Sequence, residues 1–117
     1  MIDVYGNVYN GEVISKYNTQ LKHGVGKMVY TDGRTYDGKW IYNSKSGKGV
    51  MTYKNGDVYT GKWNEDQQNG NGIMRYANGD VYIGHWENNE KSGKGKMKYA
   101  DGSVYDGEWE FDEKADF

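Results

Sequence analysis

Over short stretches of the chain, bulky residues alternate with polar ones, and an Asn-Gly or Asp-Gly pair separates one stretch from the next. In residues 47–63, Met51 and Tyr53 share one parity with Gly47 and Gly49; after Asn55-Gly56, Tyr59, Gly61 and Trp63 form a second alternating run. Period-two alternation around an Asn-Gly pair predicts a β-hairpin. Dense glycine and the lack of a 3.6-residue stripe argue against helix. A two-residue turn at Asn55-Gly56 would put Met51 and Tyr53 on the opposite face from Tyr59 and Trp63. A three-residue loop, Lys54-Asn55-Gly56 with Gly56 left-handed, puts all four on one face. It also sets Gly47 opposite Trp63, where the indole can cross bare backbone, and Met51 opposite Tyr59.

The hairpin recurs. Trp40, Trp63, Trp86 and Trp109 are spaced by 23 residues, each closing a YxGxW run that begins at Tyr36, Tyr59, Tyr82 or Tyr105. Upstream of each lies GxGxMxY, with Met28, Met51, Met74 and Met97 leading to Tyr30, Tyr53, Tyr76 and Tyr99. Turn dipeptides Asp32-Gly33, Asn55-Gly56, Asn78-Gly79 and Asp101-Gly102 divide the halves. Four hairpins are thus predicted at 24–40, 47–63, 70–86 and 93–109, joined by six-residue connectors. A partial unit at 5–13 lacks its first strand and carries Val13 where tryptophan belongs; its connector, residues 14–23, is four residues longer than the others. All 18 glycines fall on repeat positions, so the repeat governs the whole reading.

Short connectors make successive hairpins pair as neighbours. The predicted fold is all-β: a single-layer antiparallel β-meander of tandem 23-residue hairpins, elongated and twisted, forming one array over residues 1–117. About nine strands at ~4.8 Å each give a ribbon roughly 43 Å long. One face carries the Met, Tyr, Trp and Gly columns. The other, with Val25, Lys27, Val29, Lys48, Thr52 and Ile73 among its residues, is largely polar.

Composition explains why the aromatics must do the packing. Leu, Ile, Val and Phe number 17 of 117 residues, too few for a two-layer core, while twelve Tyr and four Trp supply bulk. A net charge of −2 with interspersed signs gives no bulk address for nucleic acid. No cysteine, no membrane-spanning apolar run and no signal-like N-terminus are present, so a cytoplasmic location, with cytoskeleton or membrane association as an option, is expected.

The YxGxW and GxGxMxY runs, the Asn-Gly turns and the 23-residue period closely resemble MORN repeats, from about Tyr5 to Trp109. The resemblance implies β-hairpins side by side in an elongated twisted sheet. It also implies a non-catalytic accessory array whose aromatic groove receives a peptide or helix of a partner protein. The groove is expected to involve Tyr36, Trp40, Met51, Tyr53, Tyr59, Trp63, Met74, Tyr76, Tyr82, Trp86, Tyr99, Tyr105 and Trp109. The same rings must form the stacked core, since nothing else covers that face; Tyr and Trp are also favoured binding anchors.

Chemistry has little to stand on. His23 and His85 fall in a connector and on the polar face, without a nucleophile motif beside them. Glu65-Asp66 and Asp112-Glu113 read as solvated charges. The GxG pairs lack the third glycine, the Lys-Ser/Thr and the helix of a phosphate loop, and no calcium motif matches. No enzyme activity, cofactor or metal is expected. A second reading is recruitment to an anionic phospholipid surface through the basic row Arg75, Lys94, Lys96 and Lys98, partly balanced by Asp106 and Glu108. A third is an accessory array within a larger enzyme. Residues 110–116 read as a solvated acidic cap. The strand near Val8 and Val13 reads as an open edge available for self-association.

Overall fold

The alternating runs become strands that pair in sequence order. The computed structural model describes residues 1–115, and Asp116 of the expected acidic cap lies outside them. Ten strands form one antiparallel sheet in the order of the chain: β1 (Val8–Lys16), β2 (Thr19–Val29), β3 (Thr35–Ile41), β4 (Ser44–Thr52), β5 (Val58–Asn64), β6 (Gln67–Arg75), β7 (Val81–Glu87), β8 (Glu90–Lys98), β9 (Val104–Glu110) and β10 (Glu113–Lys114). None of the described residues is helical. The molecule measures 52 × 25 × 19 Å, a strip one sheet thick.

The long hairpins close as the faces require. Gly47 pairs with Trp63 and Met51 with Tyr59. The Gly56 N–H donates to the Tyr53 carbonyl at 3.0 Å, the Tyr53 N–H donates to the Asp57 carbonyl at 2.8 Å, and Gly56 has φ +97°. This is a three-residue loop ending in a left-handed glycine, a conformation that costs a Cβ-free residue little.

The connectors differ from expectation. They are two-residue turns, and the strands run through most of the residues read as linker: β3 ends at Ile41 and β4 starts at Ser44. Tyr42 and Asn43 have φ of 44° and 73°, and Glu65-Asp66, Asn88-Asn89 and Phe111-Asp112 repeat the pattern. Two consecutive positive φ values make a type I′ turn, whose twist matches that of the strands. The turn was concealed because its first position carries Tyr, Glu, Asn or Phe instead of the usual Asn-Gly signature. Register is then adjusted by a bulge. Gly38 pairs with Gly49 but Trp40 pairs with Lys45, leaving Lys39 against Ser46, Gly47 and Lys48. The type I′ turn thus sits inside the supposed connector, while the bulge straddles its boundaries with the predicted hairpins.

Both ends also differ. Met1 and Ile2 supply a stub of the first strand thought missing: the Tyr9 N–H donates to the Met1 carbonyl at 2.8 Å, and Ile2 bridges to Val8. Met1 stands to Tyr9 as Met28 stands to Tyr36, so Val8 and Tyr9 are covered, while from Asn10 onward β1 pairs only with β2 and is the edge of the sheet. In the residue 14–23 stretch the extra residues lengthen both strands of the β1–β2 hairpin, adding the pairs Ser15–Gln20 and Lys16–Thr19. His23 accordingly lies in β2, where its Nδ1 accepts the Tyr42 N–H at 3.2 Å. At the other end, Glu113 and Lys114 of the expected solvated cap are exposed but form a short strand against β9, because the Phe111-Asp112 turn reverses the chain onto the sheet edge.

Candidate functional site

Of the tyrosines that open YxGxW runs, Tyr36, Tyr59 and Tyr82 each pack on two indoles and Tyr105, in the last run, on Trp109. Tyr36 meets Trp40 of its own strand at 5.0 Å and Trp63 of the next hairpin at 5.5 Å; Tyr59 meets Trp63 at 5.2 Å and Trp86 at 5.4 Å. All these contacts are edge-to-face, and the series continues from Tyr9 to Tyr105. Such pairs contribute about 0.5–1.5 kcal/mol beyond area burial. The polar tips are satisfied locally. The Tyr59 hydroxyl donates to the Lys62 carbonyl at 2.8 Å, and the Trp63 indole N–H donates to the Gly49 carbonyl at 3.3 Å.

The glycines make this packing possible. A Cβ on Gly49 would overlap the Tyr36 hydroxyl and ring, and one on Gly72 would overlap those of Tyr59. The ring therefore lies flat across a bare cross-strand pair.

The thirteen residues expected at the groove do come together on one face, in two tiers. Tyr36, Tyr59 and Tyr82 are 0% exposed, and Trp40, Trp63, Trp86, Trp109, Met51 and Met74 are also buried. They form the floor. Tyr53, Tyr76, Tyr99 and Tyr105 are half-buried and packed against it. A groove of about 530 Å³ opens above, lined by Met51, Trp63, Met74 and Trp86, by Tyr53 and Tyr76, whose hydroxyls accept from Gln68 at 2.8 Å and Lys91 at 3.3 Å, and by a polar wall that joins Gln68 and Lys91 to Lys45, Asp66 and Asp112.

That last wall was not anticipated from the sequence. Lys22, Lys45, Gln68, Lys91 and Lys114 recur at the 23-residue period, but they lie in segments read as connectors and the tail, and Gln68 interrupts the charge pattern. In the fold they cap the aromatic ladder. Lys22 stands 5.3 Å from the Trp40 ring, Lys45 5.4 Å from Trp63, Lys91 5.3 Å from Trp109 and Lys114 5.0 Å from Tyr105. Gln68 brings no charge to the rings, but its Nε2 donates to the Tyr53 hydroxyl at 2.8 Å, as the Lys91 ammonium does to the Tyr76 hydroxyl at 3.3 Å. Lys45 is buried and pairs with Asp66 at 3.4 Å; Lys91 pairs with Asp112 at 3.6 Å. Desolvation pulls the Lys45 ammonium down from its ordinary pKa, with Asp66 partly opposing.

The tyrosines titrate late. Burial raises Tyr36, Tyr53 and Tyr59, and pushes Tyr76 and Tyr82 up to about 12. They remain neutral hydroxyls at physiological pH, able to donate and accept.

The basic row lies on the reverse face, within opposite-charge pairs: Lys94 faces Glu108 and Lys96 faces Asp106, while Lys98 faces Val104 and Arg75 faces Val58 and Val81. His85 lies on the same face, opposite Asn71. Glu65 and Asp66 form a type I′ turn, as do Phe111 and Asp112. Among the described residues no group of three or more His, Cys, Asp or Glu converges as a metal site.

A one-layer ladder of near-identical hairpins, packed unit on unit through aromatic rings, defines the chain as a β-hairpin repeat protein. The MORN repeat family model matches residues 21–33, 36–58, 59–81 and 82–104, and the chain belongs to that family. MORN repeats are non-enzymatic modules of interaction with proteins and membranes. No curated protein matches the chain.

Proposed function

We propose that this chain is a non-catalytic protein-binding or scaffold module that holds a peptide or helix of a partner in the groove above its aromatic floor. The observation that carries this reading is the division of labour across that face. The floor rings are buried and fully occupied with one another, yet a groove of about 530 Å³ stays open above them, rimmed by Tyr53 and Tyr76, by Gln68 and Lys91 bonded to their hydroxyls, and by Lys45. Rigid rings that offer a hydroxyl at the edge of an apolar trough suit peptide recognition: they bury area at low entropy cost and orient through hydrogen bonds. Tyr53 and Tyr76, which line the groove, are then the contact residues, with Tyr99 next in their column, while Tyr36, Tyr59, Tyr82, Tyr105 and the tryptophans act by holding the floor.

The test is a pull-down with the wild-type chain beside the double variant Tyr53→Ala/Tyr76→Ala and a reverse-face variant, Lys94→Gln/Lys96→Gln, each checked for retained β-sheet by circular dichroism. Loss of partners from the groove variant alone is expected, at about tenfold or more in affinity for a pair of anchor rings. A folded groove variant that captures the same partners equally well refutes the reading. Recruitment to anionic membranes is the competing proposal. It rests on Arg75 and Lys98, the two members of the basic row that do not face a carboxylate, and liposome co-sedimentation with Arg75→Gln/Lys98→Gln addresses it.

A further inference from the structure

Tyr53 and Tyr76 stand in a column that crosses the sheet without stepping along it. Met51 faces Tyr59, Tyr59 faces Met74 and Met74 faces Tyr82, so equivalent residues of successive hairpins lie two strand spacings apart. At ~4.8 Å per strand, the tyrosines two residues beyond Met51 and Met74 recur every ~9.6 Å along the groove. An occupant that meets each ring alike must present the same side with that period. Two turns of α-helix rise about 10.8 Å and fall out of step by about 1 Å per hairpin. A β-strand covers about 10 Å in three residues but turns the first and last of them to opposite sides. Polyproline II, with three residues per turn and ~3.1 Å per residue, returns its face every ~9.3 Å.

Hydrogen bonding selects the same conformation. The Tyr53 hydroxyl accepts from Gln68 Nε2 at 2.8 Å and the Tyr76 hydroxyl accepts from the Lys91 ammonium at 3.3 Å, so each keeps its own O–H to give. Among the described residues neither O–H has an acceptor, unlike that of Tyr59, which donates to the Lys62 carbonyl. Burial holds both phenols above their ordinary pKa and keeps that proton in place. A helix occupies its carbonyls internally, whereas those of polyproline II are all open to a donor.

Charge narrows the occupant further. Asp66 and Asp112 line the groove, and each receives both the main-chain N–H and the ammonium of its lysine on one oxygen, Oδ1. Their side chains are 51% and 47% exposed, against 10% and 12% for Lys45 and Lys91. The wall therefore shows carboxylate to solvent and keeps its ammonium groups over the rings, which a basic side chain complements.

We infer that the groove holds a proline-rich segment in the polyproline II conformation, with prolines at every third residue over Tyr53 and Tyr76 and an arginine or lysine beside Asp66 or Asp112. This occupant presupposes the groove reading above and gives the partner its conformation and charge.

Fluorescence anisotropy tests it with the full chain and a labelled peptide of about ten residues, roughly 31 Å long, carrying proline at every third position and arginine at both ends. Saturable binding is expected. Proline at every fourth position turns successive contacts by a third of a turn and should weaken binding about threefold or more, as should an alanine-rich helical peptide with the same arginines. Tyr53→Phe/Tyr76→Phe keeps both rings but removes both donors, and should weaken the first peptide about tenfold with the β-sheet spectrum unchanged. Asp66→Asn/Asp112→Asn places at these turns the residue already found at Asn43 and Asn89, and should flatten the salt dependence of binding. Equal or tighter binding of the helical or every-fourth peptide, or undiminished binding to Tyr53→Phe/Tyr76→Phe, overturns the inference. Pull-down partners that need the Tyr53 and Tyr76 rings, with no binding of the proline peptide, leave the groove reading standing and remove this occupant. Partners indifferent to those rings remove both.

Discussion

Tyr59 is held in one place by three features: its ring lies over Gly72, its hydroxyl donates to the Lys62 carbonyl at 2.8 Å, and its edges meet Trp63 and Trp86. Gly72→Ala inserts a methyl where the ring already lies, and the neighbouring backbone of Gly61 leaves it nowhere to go. A loss of about 1–3 kcal/mol or more is expected in urea unfolding, as for other overpacked cores. Burial also gives the tyrosines a pH signature. Tyr76 and Tyr82 titrate near 12 in the folded chain against an ordinary 10.0, so the unfolded chain releases these protons first. Their contribution to stability is complete below pH 10 and is lost as pH rises from 10 toward 12. Thermal melts across that range should show a falling melting temperature, and Tyr76→Phe, which cannot ionise, should flatten the slope. The Gln68 exception belongs to this scale as well: with no charge to place over the rings, it engages the Tyr53 hydroxyl, and the wall remains continuous.

Between hairpins, adjacent elements are joined by a reciprocal clasp at the type I′ turns. The Asn89 side chain accepts the Gln68 N–H at 2.7 Å while its own N–H donates to the Gln68 carbonyl at 3.0 Å. Asn43, Asp66 and Asp112 hold Lys22, Lys45 and Lys91 in the same way. Asn and Asp serve here twice, tolerating the left-handed backbone and offering a side-chain acceptor. Asn89→Ala removes the acceptor and disfavours the φ of 69°. Its expected cost is about 1–2 kcal/mol, with faster hydrogen exchange at the Gln68 amide as the local readout. Unchanged exchange there would show that the clasp does not hold the hairpins together.

At the scale of the whole molecule, each strand packs chiefly on its immediate neighbours along a 52 Å strip. Such an array has no common core through which a distant defect must be felt, so its stability is close to a sum of units and interfaces. Trp40→Ala removes an indole that contacts both Tyr9 and Tyr36, at an expected cost of about 3–5 kcal/mol. Native-state hydrogen exchange should then show protection lost in β1–β4 and largely kept in β7–β9. Uniform loss would mean the sheet unfolds as one unit. The same linearity suits a groove that runs over several repeats, since each unit adds a similar stretch of wall.

The sequence by itself determined the hairpin, its period, its three-residue loop and the face on which Tyr36, Trp63 and their counterparts gather, because glycine, Asn-Gly and period-two alternation act within a few residues of one another. Only the tertiary structure decided the rest. The type I′ turns had no Asn-Gly to announce them, and the bulge opposite Lys39 shifted the register by two residues, so that Lys45 instead of Gly47 stands opposite Trp40. The division of the rings into buried floor and half-buried wall depends on the depth at which neighbouring hairpins stack.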